Sequence, residues 1–277
     1  MKNSKTILVA YDLSIASRNA LEIAAEIAVN TNSSLFIYHV ISASVLTDSE
    51  MVYTFSPEED AKKMNALIKR GVTYLKKRFP GINVNYKIDY GFLIPSIIDK
   101  TKEISPWLSV FGVKKRTGLD KVIFGDTCST LIGQLKGGML VIPMNYRKLD
   151  FRLVAYAWDG QSSEVYQLAP LRTLINNGKS KIQAINITHY DEKADKNVQP
   201  FKQNLKRMFA GHSVEINQIQ GLDKEKEMER VIRKIEPKLT VVFAHHYTTW
   251  QKIFHKRFSR KIFKFIKSPM LVISEKN

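Results

Sequence analysis

The chain has 277 residues, 44% hydrophobic and 25% charged, with a formal net charge of +17; average usage at twice the length of a common domain excludes wholesale disorder and favours two compact units. Apolar runs such as Thr6 to Tyr11 or Leu239 to Ala244 fall well short of the ~20 residues a spanning helix needs, so no membrane partner is expected. Cys128 is the single cysteine, which excludes an intramolecular disulfide and, with no secretory leader ahead of the first strand, leads us to expect a cytoplasmic protein.

In chain order, Lys5 to Tyr11 is an apolar, partly β-branched run suited to a strand buried on both faces, ending at Asp12. Ser17 is the expected N-cap of a helix carrying Ala20, Leu21, Ala24 and Ala28 on one face, with Leu13 and Ile15 in the connecting turn. Leu35 to Ile41 makes a second strand, and Ser56-Pro57-Glu58-Glu59 opens a helix that should run to about Arg78. A strand from Val84 to Ile88 is closed by Gly91; a helix from Ile94 to Ile104, a strand from Trp107 to Phe111, a helix from Gly125 to Leu135 and a strand from Met139 to Ile142 complete the first half. Asn145 to Asp150 reads as a short linker that should hold the halves close together.

The second half repeats the order: strand Arg152 to Trp158, helix Glu164 to Asn176, strand Ile182 to Ile187, helix Val198 to Phe209, strand Val214 to Ile219, helix Glu225 to Ile235 and strand Leu239 to Ala244. A basic helix and a strand from Pro269 to Ser274 follow, and Gly221 takes the place of Gly91. Two tetrapeptides recur in matching order, Leu8-Val9-Ala10-Tyr11 as Leu153-Val154-Ala155-Tyr156 and Met139-Leu140-Val141-Ile142 as Met270-Leu271-Val272-Ile273. The halves are therefore read as homologous modules, residues 1–146 and 147–277. Strands alternating with helices imply right-handed crossovers, so the expected fold class is α/β, two tandem doubly wound and mostly parallel five-stranded sheets.

Ligands of such sheets bind beyond the carboxyl ends of the strands, which directs attention to the turns after Tyr11, Val40 and Phe111. The third turn spans Gly112 to Thr127, with glycines at Gly112, Gly118 and Gly125 that would let backbone amides approach phosphates. Here the sequence resembles the universal stress protein family, whose nucleotide-binding members carry a strand, glycine, two residues, glycine, nine residues, then glycine followed by serine or threonine. Gly112 and Gly125 match the outer glycines at the right total spacing, Lys115 replaces the middle one, and Asp126 replaces the hydroxyl residue, with Thr127 next to it. Asp12, His39-Val40 and Gly91 fit the family as well.

The resemblance implies an architecture like that of the adenine-nucleotide alpha hydrolases and pairing through the last strands as an internal pseudo-dimer, with a homodimer as a further option. It also implies an ATP site with Mg²⁺ in which Asp12 approaches the ribose, the Val40 backbone the adenine edge, and the Gly112–Thr127 loop the phosphates. Lys115 either blocks the phosphates or offers them a cation, and a carboxylate at Asp126 would cap the helix and repel them. The loop is thus either an occupied nucleotide site or a vestigial turn.

In the second half, alignment on the fourth strand puts Ala244 and Tyr247 at the first two glycines and Arg257-Phe258 at the last glycine and its hydroxyl. The matching tetrapeptides place Asp159 two residues beyond the counterpart of Asp12. The second module is expected to be a scaffold.

The charge excess is +6 over residues 1–150 and +11 over 151–277. Much of the latter sits in Trp250 to Lys267, read first as an amphipathic helix with a solvated basic face and, alternatively, as a polyanion contact; a nucleic-acid partner is not expected. His245 and His246 are adjacent on a strand and point to opposite faces, so they do not chelate one metal easily. His39 is read as a packed residue and Cys128 as inert. No Walker loop, nucleophile elbow or His-Glu-x-x-His pair occurs. The expectation is a non-enzymatic stress-response protein with an adenine-nucleotide site in its first half; the alternative is a slow ATPase or nucleotidyl-transfer enzyme.

Overall fold

The computed structural model describes residues 5–42, 57–114, 126–132, 134–158, 162–176, 178–188, 198–244 and 268–274. The first half runs β1 (Thr6–Ala10), α1 (Ile15–Asn30), β2 (Ser34–Ser42), α2 (Pro57–Arg78), β3 (Val84–Gly91), α3 (Leu93–Ile104), β4 (Leu108–Val113), α4 (Asp126–Leu131) and β5 (Gly138–Pro143). The second runs β6 (Leu153–Ala157), a 3₁₀ helix (Ser162–Leu168), α5 (Ala169–Ile175), β7 (Lys181–Thr188), α6 (Val198–Met208), β8 (Ser213–Gln220), α7 (Lys224–Ile235), β9 (Leu239–Ala244) and β10 (Met270–Ser274). Each half is a doubly wound parallel sheet, and the two join edge to edge in the order β3-β2-β1-β4-β5-β10-β9-β6-β7-β8.

The join is the antiparallel pair β5 and β10. Leu271 lies opposite Leu140, Met270 opposite Val141 and Val272 opposite Met139. In the parallel ladders, Met139 faces Ser109 and Met270 faces Thr240, while Leu108 and Leu239 both begin the fourth strand of their half. The recurring Met-Leu-Val-Ile segments are therefore true structural counterparts, and a pseudo-two-fold axis passes between Leu140 and Leu271. Both strands are buried along their whole length. Apolar layers run unbroken across the axis on both faces of the sheet, one under α1, α2, α5 and α6 and the other under α3, α4 and α7. The expected internal pseudo-dimer is thus one ten-stranded sheet.

The first strands correct the sequence reading. Thr6 pairs with Ser34 and Leu153 with Lys181; Trp107 donates to the carbonyl of Thr6, as Lys238 does to that of Leu153. Tyr11 donates to Tyr38, as Trp158 does to Ile185. Trp158, not Tyr156, is consequently the counterpart of Tyr11. The Leu-Val-Ala-Tyr match is two residues out of register, and it passes as a repeat because a shift of two keeps every side chain on its own face. By this register Asp159, which lies outside the described residues, follows Trp158 as Asp12 follows Tyr11.

Several element ends also differ. Ser14, rather than Ser17, caps α1: its backbone is extended and its Oγ accepts the amide of Ser17 at 3.2 Å, so Ile15 is helical. The fourth helix is shorter than Gly125 to Leu135, because a turn from Leu131 to Gln134 and the positive φ of Gly137 bring the chain back to β5. The expected helix from Glu164 to Asn176 is split into a 3₁₀ segment and α5. Pro170 lacks an amide proton and stands in the first turn of α5, where that loss costs nothing. α2, by contrast, starts at Pro57 and ends at Arg78 as its sequence signals require. The linker is tied down by Asn19 on α1, which donates to the carbonyl of Met144 and accepts from Arg147, and by a fork of Arg152 on Asp150.

Candidate functional site

Asp12, Val40 and Gly112 lie at the carboxyl ends of three neighbouring strands or just past them, with β1 between β2 and β4. The turn after β1 is organised by side chains. Asp12 is exposed, and its Oδ1 accepts the amide of Ser14 at 3.0 Å, while its own amide meets Ser17 Oγ at 3.3 Å. Leu13 between them takes a left-handed φ of 63°, a conformation that costs a leucine about 1–2 kcal/mol. Partial burial pushes the Asp12 carboxyl up, but hydrogen bonds from Ser14 and Ser17 and the charge of Lys114 outweigh it. The group is held ionised below the ordinary carboxylate range.

Val40 extends beyond the end of β1. The carbonyl of Tyr38 accepts from Tyr11, and backbone groups alternate sides along a parallel strand. Those of Val40 therefore face the same side as those of Tyr38, where β1 has given way to the Asp12 turn. His39 is buried, and its Nδ1 donates to the carbonyl of Tyr11 at 2.6 Å. In the second half Asn186 Nδ2 donates to the carbonyl of Trp158 at 3.1 Å, the same bond from a different side chain. His39 is a structural residue, as its place in the strand led us to expect.

Gly112 has a packing reason to be glycine. A Cβ there would stand 2.2 Å from the carbonyl oxygen of Ala16 and 2.7 Å from the amide of Ser17, because the first turn of α1 rests directly on β4. Its presence alone therefore does not mark a phosphate cradle. The ladder also corrects the second-half alignment: Phe243, not Ala244, is the counterpart of Gly112, since β9 starts at Leu239 as β4 starts at Leu108 and the paired residues follow in step. Phe243 belongs to the same apolar layer as α1, and Ala244 to the opposite one. With a phenyl ring where α1 needs bare backbone, a helix cannot begin against β9 as α1 does against β4. This accounts for the 3₁₀ segment after β6.

Of the remaining expected site residues, Lys115, Gly118 and Gly125 lie outside the described residues, as do Tyr247, Arg257, the three histidines His245, His246 and His255, and the basic segment 250–267. Asp126 begins α4 and Thr127 follows it, half-buried. Cys128 is buried against the α3 and α4 layer, and burial pushes its thiol up to about 12, far from a reactive thiolate. No helix among the described residues is long and apolar enough to cross a membrane.

The model of the Universal stress protein family matches residues 3–143. The crystal structure of a universal stress protein from Archaeoglobus fulgidus DSM 4304 is similar with a TM-score of 0.76 at 15% identity, covering 99% of this chain and 100% of that one. A functionally unknown protein from Pseudomonas aeruginosa PAO1 is similar with a TM-score of 0.60 at 13% identity, covering 98% of this chain and 93% of that one. At these identities the likeness is one of fold. Among curated proteins compared by sequence, none matches. The family match spans more than half of the 277 residues, and the full-length neighbour has the same extent; the chain therefore belongs to the universal stress protein family, as one polypeptide carrying two copies of its α/β fold.

Proposed function

We propose that this stress-response family member binds an adenine nucleotide at the carboxyl edge of its first half, with ATP and Mg²⁺ as the form to test, and that it has no strong catalytic activity. The reading is carried by the Asp12 turn: an exposed, ionised carboxylate is fixed at the end of β1, between the edge of β2 at Val40 and Lys114 at the end of β4. A carboxylate so placed accepts ribose hydroxyls, backbone groups like those of Val40 read an adenine edge, and Lys114 supplies positive charge on the side of the loop. The second half serves as a pairing scaffold. Phe243 in place of Gly112 and the recast first helix support that assignment.

Calorimetric titration of MgATP into the purified chain tests the proposal. Saturable binding that weakens at least about tenfold in Asp12→Ala is expected; no heat at millimolar nucleotide would overturn it. Phosphate release measured on the same samples decides the catalytic half. Turnover above background that Asp12→Ala abolishes would replace the binding role with a slow ATPase.

A further inference from the structure

Between α1 and α2 of the first half lies an open cavity of about 300 Å³, the lower end of the range for small-molecule sites. Tyr11 lines it from the end of β1, Leu21 and Leu75 give it an apolar floor, and Arg18 and Arg70 stand on its walls. Gly71 faces it from the middle of the 22-residue helix α2, and a Cβ built there meets nothing within 4 Å. A glycine inside a helix costs roughly 1 kcal/mol relative to alanine. Neither sterics nor a left-handed φ requires it at this position.

The second half shows what the same space holds when it is filled. Phe79 donates to Leu75 and Ile82 to Phe79; Phe209 donates to Leu205 and His212 to Phe209. Gly81 and Gly211 then turn the chain with positive φ into β3 and β8. Leu205 is therefore the counterpart of Leu75, and one helical turn earlier Phe201 is the counterpart of Gly71. Trp158 is the counterpart of Tyr11. Phe201 is fully buried and its ring lies flat on Trp158, centroids 3.7 Å apart and planes within 4°. The duplicated fold thus has an aromatic ring stacked on the residue that ends its first strand in one copy, and a cavity of matching position in the other.

We propose that the cavity between α1 and α2 is a second small-molecule site, and that it takes a planar aromatic carboxylate whose ring occupies the place of Phe201 and whose charge turns to Arg18 and Arg70. An anion is favoured because both guanidinium groups line the space, while the one carboxylate among the described lining residues, Glu22, is bound to Arg78 at 3.1 Å. The cavity adjoins the Asp12 turn through Tyr11 and Leu13 but is lined by none of Asp12, Val40 or Lys114, so the proposal does not rest on nucleotide binding.

The probe is 2-naphthoate, followed by its fluorescence and by calorimetry on the full chain. Saturable one-to-one binding is expected, weakened by more than about tenfold in Gly71→Phe, which restores the side chain found in the second half. Arg70→Gln should weaken 2-naphthoate several-fold and leave the neutral 2-naphthalenemethanol unchanged. Should Gly71→Phe fail to unfold cooperatively, Gly71→Leu is measured by the same criterion. Absence of saturable binding to the unaltered chain at millimolar probe, or binding to the folded Gly71 variant as tight as to the unaltered chain, would overturn the proposal.

Discussion

Two glycines in the first half are present for opposite reasons, and single substitutions separate them. Gly112→Ala drives a methyl group into the backbone of Ala16, an overpacking that costs about 1–3 kcal/mol. Gly71→Ala meets nothing and should stabilise by about 0.5–1 kcal/mol, since alanine loses less chain entropy in a helix. Urea unfolding of the two variants checks both signs at once. Asp12 gives a third test. Its folded pKa lies below its unfolded value, so its contribution to stability is whole above that value and is lost as the pH falls through the folded one, below about pH 4. The gap in urea midpoint between the unaltered chain and Asp12→Asn should be widest near neutrality and close under acid. The group is exposed, so solvent screening keeps the gap small. A gap that widens on acidification would reverse the sign assigned to this carboxyl.

At the scale of elements, the first helical layer is where the two copies diverge most, and where the sequence was hardest to read. The strands were legible because an apolar run bounded by polar turns admits few other readings, and α2 because Ser56 and Pro57 announce its start. The split of the helix after β6 was not. Its cause, Phe243, stands far away in sequence and acts only through the ladder that sets it over the place of Gly112. The one-residue slip that put Ala244 there had a nearer cause: Pro106 and Pro237 each follow a left-handed cap residue, Ser105 and Glu236, and each stands two residues before its strand. Aligning these turns sets the register that the pairing of β9 with β6 and β10 shows. At the site, Asp12 and Val40 were legible as strand ends, whereas the capping role of Ser14 and the packing role of Gly112 depend on how closely α1 approaches β4. Phe201 carries the layer in the second half, between α6 and the ring of Trp158. Phe201→Ala should cost about 3–5 kcal/mol, as large aromatic deletions in cores do. Thermal unfolding followed by tryptophan fluorescence would record it, and a cost under about 1 kcal/mol would mean that the second half refills the space by moving α6.

At the scale of the whole molecule, the pseudo-two-fold axis makes a prediction about the first half alone. β5 is buried along its whole length, with β10 covering the edge that β4 does not. A fragment ending at Tyr146 would expose a five-stranded sheet with an apolar, unpaired edge, which is a template for pairing. The surface left open is self-complementary: Leu140 sits on the axis, so two copies related by a true two-fold can repeat the register that β10 now supplies, with Leu140 opposite Leu140 and Met139 opposite Val141. The fragment is expected to be a dimer by light scattering, and Val141→Pro, which removes a ladder amide and stiffens the edge, is expected to make it a monomer. In the full chain both edges at the axis are already used and the outer strands are β3 and β8, which carry charged and polar residues at alternate positions. The same experiment on residues 1–277 should therefore give a monomer. A monomeric fragment would mean that pairing at the axis depends on the linker ties of Asn19 to Met144 and Arg147 rather than on the strands themselves.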